Sequence, residues 1–252
     1  MAAVTHPLPF EPDYVVPPGE TLREVMESLS MSQKELAART GLTEQTLNRI
    51  FKGQQPISYE TANRLELVTN VPARFWNSLE AQYQELAAKR EERLRMESDL
   101  EWLRDIPTRE LHARGVIQET KGKVDLLRDV LRFYGVASVA AWRKLWEMPM
   151  VAARRSSCFE SRPGPASAWL RQGELQAHEI VCKPYDKARF KVALERVRSM
   201  TRESAEVFEP ELRRMCAEAG VAVALVREMK KVPWNGATKW LSPDKVMILL
   251  SL

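Results

Sequence analysis

The 252-residue chain is poor in several features that define common protein classes. It has three cysteines, three histidines and ten glycines. Its longest unbroken apolar runs, 221–226 and 246–250, fall far short of the roughly 18 residues needed to span a bilayer. The N-terminus lacks the basic stretch and apolar run of a signal peptide, so the expectation is a cytoplasmic protein with no membrane partner. Cys158, Cys182 and Cys216 are odd in number, widely spaced and without a CxxC pair, which argues against a disulfide framework or a cysteine-built zinc site. Charge of one sign is also lacking. Lys plus Arg is 38 against 34 Asp plus Glu, a balance of +4, too mild to identify a nucleic-acid partner by itself. What is present is core-forming material, 44% hydrophobic residues with 29% charged, in a length that allows one or two domains.

Residues 1–18 hold five prolines and read as an extended lead-in. From Gly19 the pattern becomes short helices between clear stops. Leu22, Val25, Met26 and Leu29 recur at helical spacing. Ser32 and Glu35 form a capping box opening a second helix that stops at Gly41. Thr43 caps a third helix through Phe51, closed by Gly53. Ser58 caps a fourth, to about Val68, and Pro72 begins a fifth that carries the stripe Trp76, Leu79, Tyr83 and Leu86. Residues 87–104 are dense in charge and read as a charged connector, either a solvated helix or the boundary between two domains. Beyond 105, helical patterns occupy roughly 122–134, 138–147, 165–180, 187–200 and 209–219. Strand-like runs follow at 221–226, 236–241 and 245–252. The expected architecture is mainly α with a small C-terminal β element (α+β). A five-helix lambda-repressor-like DNA-binding domain over 19–86 would precede a helical domain over 105–252.

The segment 32–53 is the most informative. Two short helices joined by a glycine-containing turn make a helix-turn-helix, whose second helix enters the DNA major groove. Ala37 is small where the helices cross, and Leu36, Leu42, Leu47 and Ile50 bury the inner faces. The outer face of the third helix is left with Glu44, Gln45, Thr46, Asn48, Arg49 and Lys52. Gln45 suits bidentate bonding to adenine, Arg49 a fork onto guanine, and the Thr46 methyl a thymine methyl. Glu44 either accepts from cytosine or favours the helix N-terminus through the dipole. Gln33, opening the second helix, would lie against a phosphate. The candidate DNA-binding set is therefore Gln33, Thr43, Glu44, Gln45, Thr46, Asn48, Arg49 and Lys52. Across 20–70 there are six Lys/Arg against seven Asp/Glu, so binding must rest on local contacts.

The PPGE lead-in, SQKELA, the GLT turn, the KG-x-x-PIS segment and the VPARFWNSLEAQY close, all within 17–84, resemble the HigA type of XRE-family helix-turn-helix proteins. These are antitoxins of toxin–antitoxin modules that also repress their own operon. The resemblance covers about a quarter of the chain and places Gln33, Gln45, Thr46 and Arg49 at positions that commonly contact operator DNA; Glu44 departs from the frequent Gln or Ser. It implies a homodimer on an inverted repeat of double-stranded operator DNA, with half-sites about one helical turn apart, and a HigB-type toxin as partner.

A second resemblance covers residues from roughly 100 to 252. The segments EWLRDIPTREL, VLRFYGVASVAAWRKLW, ASAWLRQGELQA, CAEAGVAVALV and GATKWLSPDKVMILLSL are similar to the N-terminal portion of ImmA/IrrE-type metallopeptidases. In that family a strand like the last is followed by a helix bearing HExxH, where two histidines bind zinc and the glutamate is general base. The sequence given ends before any such helix, and the expectation is a truncated second domain. The alternative function is thus a DNA-binding metallopeptidase-type regulator whose zinc part is missing. His178 to Cys182 reads HExxC, but a catalytic zinc needs a third protein ligand. A surface histidine and a partly buried cysteine are expected, with no metal, no cofactor and no catalytic residue.

The remaining features have plainer readings. Cys216 lies on an apolar stripe as a core thiol, and the tryptophans at 102, 142, 146, 169, 234 and 240 are core or interface. Arg154, Arg155 and Arg162 form a solvated basic patch. Residues 105–252 carry 26 Lys/Arg against 18 Asp/Glu, which could add salt-sensitive, sequence-independent DNA affinity. A further reading makes this region an interaction platform whose exposed final strand offers an edge for β-augmentation.

Overall fold

The helix signals before residue 70 become helices almost residue for residue in the computed structural model, which describes residues 16–120, 122–147 and 162–252. The lead-in up to residue 15, His6, Cys158, Arg154 and Arg155 lie outside the described residues. The protein is mostly helical with one three-stranded sheet, and it divides into two units, residues 1–95 and 96–252.

The first unit holds α1 (Pro18–Ser28), α2 (Gln33–Thr40), α3 (Glu44–Phe51), α4 (Tyr59–Thr69) and most of α5 (Ala73–Ser98). Local chemistry sets the ends. Pro18 occupies the first turn of α1, where its missing N–H costs nothing. The hydroxyls of Ser32, Thr43 and Ser58 accept from the amides of Glu35, Thr46 and Thr61. Gly41 closes α2 at φ 71° and Asn70 closes α4 at φ 59°, both left-handed C-terminal stops. The Glu66 carboxylate accepts from the Ala73 amide at 2.5 Å, tying the end of α4 to the start of α5. Leu22, Leu36, Leu47, Ile50, Leu65 and Trp76 meet at the centre and are fully buried. Gly19 is where α1 touches α3: a Cβ there would stand 2.3 Å from the Ile50 carbonyl oxygen.

The second unit opens with a 3-10 turn at Leu100–Arg104, followed by α6 (Thr108–Ala113), α7 (Lys123–Tyr134) and α8 (Val139–Trp142). A π turn (Arg143–Glu147) prolongs α8 where an unbroken helix over 138–147 was expected. Then come α9 (Pro163–Glu179), α10 (Lys187–Ser199) and α11 (Ala205–Glu218). α11 begins one turn earlier than its apolar pattern suggested. The amides of Val207 and Phe208 both reach the Ser204 carbonyl, and Pro210 is accommodated inside the helix. The strands are β1 (Val221–Val226), β2 (Gly236–Ser242) and β3 (Lys245–Ser251), in the order β1-β3-β2, with β1 parallel and β2 antiparallel to β3.

Two layers of core lie against this sheet. Ala222, Ala224, Met247 and Leu249 join the same core as α9, with Gly173 against the Leu249 side chain. Val221, Val223 and Val246 point the other way, to Cys216 on α11. Trp102, Tyr134, Trp142 and Trp146 form a contiguous aromatic group, with ring centroids 5.0–6.3 Å apart. Burial pushes the Tyr134 phenol far up from its ordinary value, while its hydroxyl contacts that of Ser167 at 2.9 Å. Buried Glu174 is charged on both sides, by Arg171 at 3.0 Å and by Lys239 of β2. Among the described residues no helix is long and apolar enough to cross a membrane.

One expectation changes and two readings are narrowed. The final strand is not an exposed edge: β3 is paired on both sides, and β1 and β2 are the edges. Of the two readings of the charged stretch, the domain boundary fits: the units divide after residue 95, and Met96 and Trp102 are buried in the second unit's core. Trp240 is 54% exposed and packs edge-on against Tyr185 with centroids 5.0 Å apart, outside the core that holds most of the other tryptophans.

The Gly19 contact yields a test of how closely α1 must approach α3. Gly19→Ala is expected to destabilise the first unit by about 1–3 kcal/mol through overpacking against backbone, read as a lower urea midpoint with an unchanged m-value. A wild-type midpoint would show that α1 can back away at no cost.

Candidate nucleic-acid interface

The apolar residues of α3 decide which side chains it presents. Leu47, Ile50 and Phe51 are buried, so Gln45, Asn48, Arg49 and Lys52 share the opposite face at spacings of three, one and three. All four are exposed, as is Glu44. Thr46 is half-buried, and its hydroxyl lies 2.9 Å from that of Thr43. The expected set is therefore brought together, but its members differ in what they can offer.

Thr43 and Thr46 are engaged in holding the helix start: the Thr43 hydroxyl accepts from the Thr46 amide at 3.0 Å while pairing with its hydroxyl. Thr43 is thus a capping residue first, and Thr46 has its methyl to present. Gln33 clamps the two helices, its Nε2 donating to the Glu44 carbonyl at 3.0 Å. One N–H of that amide remains for a phosphate, so the expected backbone contact and the clamp are compatible. Glu44 lies in the first turn of α3, where a carboxylate complements the positive end of the helix dipole.

Arg49 and Lys52 differ from most helical cations of this unit. Arg23, Arg39, Arg64 and Lys89 each meet a carboxylate three or four residues away, at 2.5–2.9 Å. Arg49, Lys52 and the neighbouring Lys34 have no ion-pair partner among the described residues. The Arg49 carbonyl instead accepts from the Gln54 and Gln55 amides at 2.8 and 3.3 Å, turning the chain sharply after α3 with Gly53 at φ 65°.

Sequence reading missed the anchor of the loop that follows. Glu80 on α5 is 9% exposed. Its Oε2 accepts from the Ile57 amide at 2.9 Å and its Oε1 accepts from Gln84 at 2.7 Å. This contact fixes residues 54–58 relative to α5, and with them the start of α4, where Tyr59 is 78% exposed. Lys34 was also missed; its position in the first turn of α2, one residue after Gln33, was the available signal.

The metal-ligand reading of 178–182 finds no geometric basis. α9 ends at Glu179 and Ile180 is extended, so His178 and Cys182 do not share a helical face. Among the described residues no group of three or more His, Cys, Asp or Glu could hold a metal. Burial pushes the Cys216 thiol up to about 11 and raises that of Cys182, which favours neutral thiols over thiolate ligands.

A family model described as helix-turn-helix matches residues 22–76, which hold most of α1, all of α2 to α4 and the start of α5, so this stretch is a helix-turn-helix domain. Solved structures resemble the same part of the chain. A Pseudomonas aeruginosa protein in complex with its operator DNA is 32% identical, covering 30% of this chain and 82% of its own, with a TM-score of 0.29. The Pseudomonas aeruginosa antitoxin HigA with the higBA promoter is 32% identical, covering 30% and 83%, with a TM-score of 0.29. An addiction module antidote protein of the HigA family from Coxiella burnetii is 26% identical, covering 33% and 92%, with a TM-score of 0.30. No curated protein matches the chain.

The loop anchor generates a prediction. Glu80→Ala leaves the buried Ile57 amide without its acceptor, at a cost of about 1–3 kcal/mol, and is expected to lower the melting temperature. Glu80→Gln keeps a carbonyl acceptor and should recover most of the loss. Equal destabilisation by both variants would show that the carboxylate charge, not the hydrogen bond, holds the loop.

Proposed function

We propose that the protein is a sequence-specific DNA-binding transcriptional regulator that reads its operator with α3. The observation that carries this reading is the outer face of α3, where Gln45, Asn48, Arg49 and Lys52 are all exposed, with no ion pair among the described residues neutralising Arg49 or Lys52. An arginine already paired with a carboxylate must give up that partner before it forks onto guanine; Arg49 need not. Gln45 one turn earlier has the donor and acceptor that adenine requires. Gln33 and Lys34 at the start of α2, and the N-terminus of α4, are placed to take phosphates and set the register.

The finer assignment is an autorepressing antitoxin of a HigBA-like module. It is supported by the motif run over residues 17–84 and by the helix-turn-helix match that covers most of it. On this reading two copies bind an inverted repeat, because identical heads on a two-fold axis require matching half-sites, and a HigB-type toxin is the protein partner. The proposed role needs neither metal nor catalytic residue in this chain.

The test is a mobility shift and footprint on the protein's own promoter. Gln45→Ala and Arg49→Ala together are expected to weaken operator binding about 100-fold or more, at roughly 1–3 kcal/mol per bidentate contact, while leaving binding to unrelated duplex nearly unchanged. Wild-type operator affinity in the double variant would remove α3 as the reading head.

A further inference from the structure

Exposed cations without an ion-pair partner among the described residues occur at several places in the second unit, Lys123, Lys144, Lys230 and Lys231 among them, and on α10 three of them share one helix face. Arg104, Arg114, Arg132, Arg171, Arg213 and Arg214 each reach a carboxylate three or four residues away, at 2.5–3.0 Å. α10 is different. Its sequence KARFKVALERVRS carries five cations against one glutamate. Lys187, Lys191 and Arg198 are exposed and have no ion-pair partner among the described residues. At about 100° per residue these three fall within about 40° of one another on the helix circumference, along about 16 Å of its length. Ala193, buried, and Phe190 and Val197, half-buried, lie about 80–140° round the helix from this stripe, so the cations, all exposed, are open to solvent. Arg196 points elsewhere. It lies near Glu211 of α11, whose carboxyl is held below the usual range chiefly by Arg214 and in smaller part by Arg196.

The same signature, exposed and unneutralised cations on one short helix, marks α3 in the first unit. There it is combined with glutamine and asparagine able to read bases; α10 carries neither. Lys187 and Lys191 are point charges on long stems, and the Arg198 guanidinium can fork onto a phosphate as readily as onto a base, so a row of this kind fits a phosphodiester backbone. A need for such a surface also exists. The segment 20–70 has six Lys/Arg against seven Asp/Glu, so the reading head can supply little of the sequence-independent electrostatic affinity on which DNA binding ordinarily depends.

We propose that the outer face of α10, through Lys187, Lys191 and Arg198, is a second DNA contact that binds the phosphate backbone without reading sequence. This rests on the DNA-binding reading above and extends it to the second unit. Its contribution is affinity and salt dependence, while the choice of operator stays with α3.

The experiment uses the full chain. The triple variant Lys187→Gln, Lys191→Gln, Arg198→Gln is titrated against the promoter duplex and an unrelated duplex of equal length, between about 50 and 200 mM salt. Both affinities are expected to fall about 100-fold at about 50 mM salt, narrowing to about twofold at about 200 mM. The slope of log K on log salt should become shallower by about 2.7, three contacts at about 0.9 each. Preference for the promoter and the melting temperature should not change. Arg196→Gln, on the same helix but facing Glu211, should leave the slope as in wild type.

An unchanged slope in the triple variant overturns the proposal, as does an equal effect from Arg196→Gln. Lost promoter preference in the triple variant would also overturn it, by making α10 part of the reading head. Intact DNA binding with weakened retention on a polyglutamate column would assign the face to an acidic protein instead. If wild type shows no promoter preference but the triple variant still flattens the slope, the reading-head assignment fails and the α10 contact stands.

Discussion

Burial of Leu47, Ile50 and Phe51 is the constraint on which the first unit's chemistry depends. An eight-residue helix such as α3 has too few hydrogen bonds to persist alone, so its existence and its rotation both come from packing. Ile50 is pressed by α1 through Gly19, where no larger residue fits without moving backbone. With the inner face fixed, Gln45, Asn48, Arg49 and Lys52 have only one direction left. The rigidity of the outward face is thus a property of residues that never reach it.

Hydrogen bonds at the two ends of α3 complete what packing begins. Thr43 fixes the first turn, Gln33 bridges to the Glu44 carbonyl, and the Arg49 carbonyl gathers two amides of the following loop. Each of these uses atoms of residues that were candidates for DNA contact. Thr43 is the clearest case, since its hydroxyl already accepts from the Thr46 amide and pairs with the Thr46 hydroxyl, leaving a single position for any contact with DNA. The division within the set follows from satisfaction of polar groups: side chains needed to close the helix ends are occupied, and those in mid-face are free.

Legibility from sequence tracked the range of the interaction. Caps at Ser32, Thr43 and Ser58, stops at Gly41 and Gly135, and the β1 and β3 runs were readable because each depends on residues within a few positions. What was not readable was non-local. Glu80 meets Ile57 across 23 positions, and nothing in an amphipathic helix distinguishes a glutamate that caps a distant amide from one in solvent. Strand order is of the same kind: β3 reads as a last strand, yet it is the central one because β1 pairs with it in parallel and β2 returns antiparallel. In the stretch 87–104 composition left a solvated helix and a domain boundary equally open, since dense charge concealed Met96 and Trp102, two apolar residues that belong to a core assembled mostly from residues beyond 105.

Charge is organised by the same logic of occupied and free groups. A net balance of +4 says little, but most helical arginines are neutralised by a carboxylate one turn away, and exposed pairs of that kind add little to stability. Their consequence is subtraction: they remove most of the positive surface from play. What remains includes the cations around α3 and along α10, so a weakly basic chain can still present local positive fields. On the proposed assignment the two surfaces divide the task by side-chain chemistry. Gln45 and Arg49 have directional donors that distinguish one base pair from another, whereas Lys187 and Lys191 offer compact charges that treat all phosphates alike. A head without net charge gains from this arrangement, because non-specific attraction that is not centred on α3 raises the time spent on DNA without blurring the difference between right and wrong sequence.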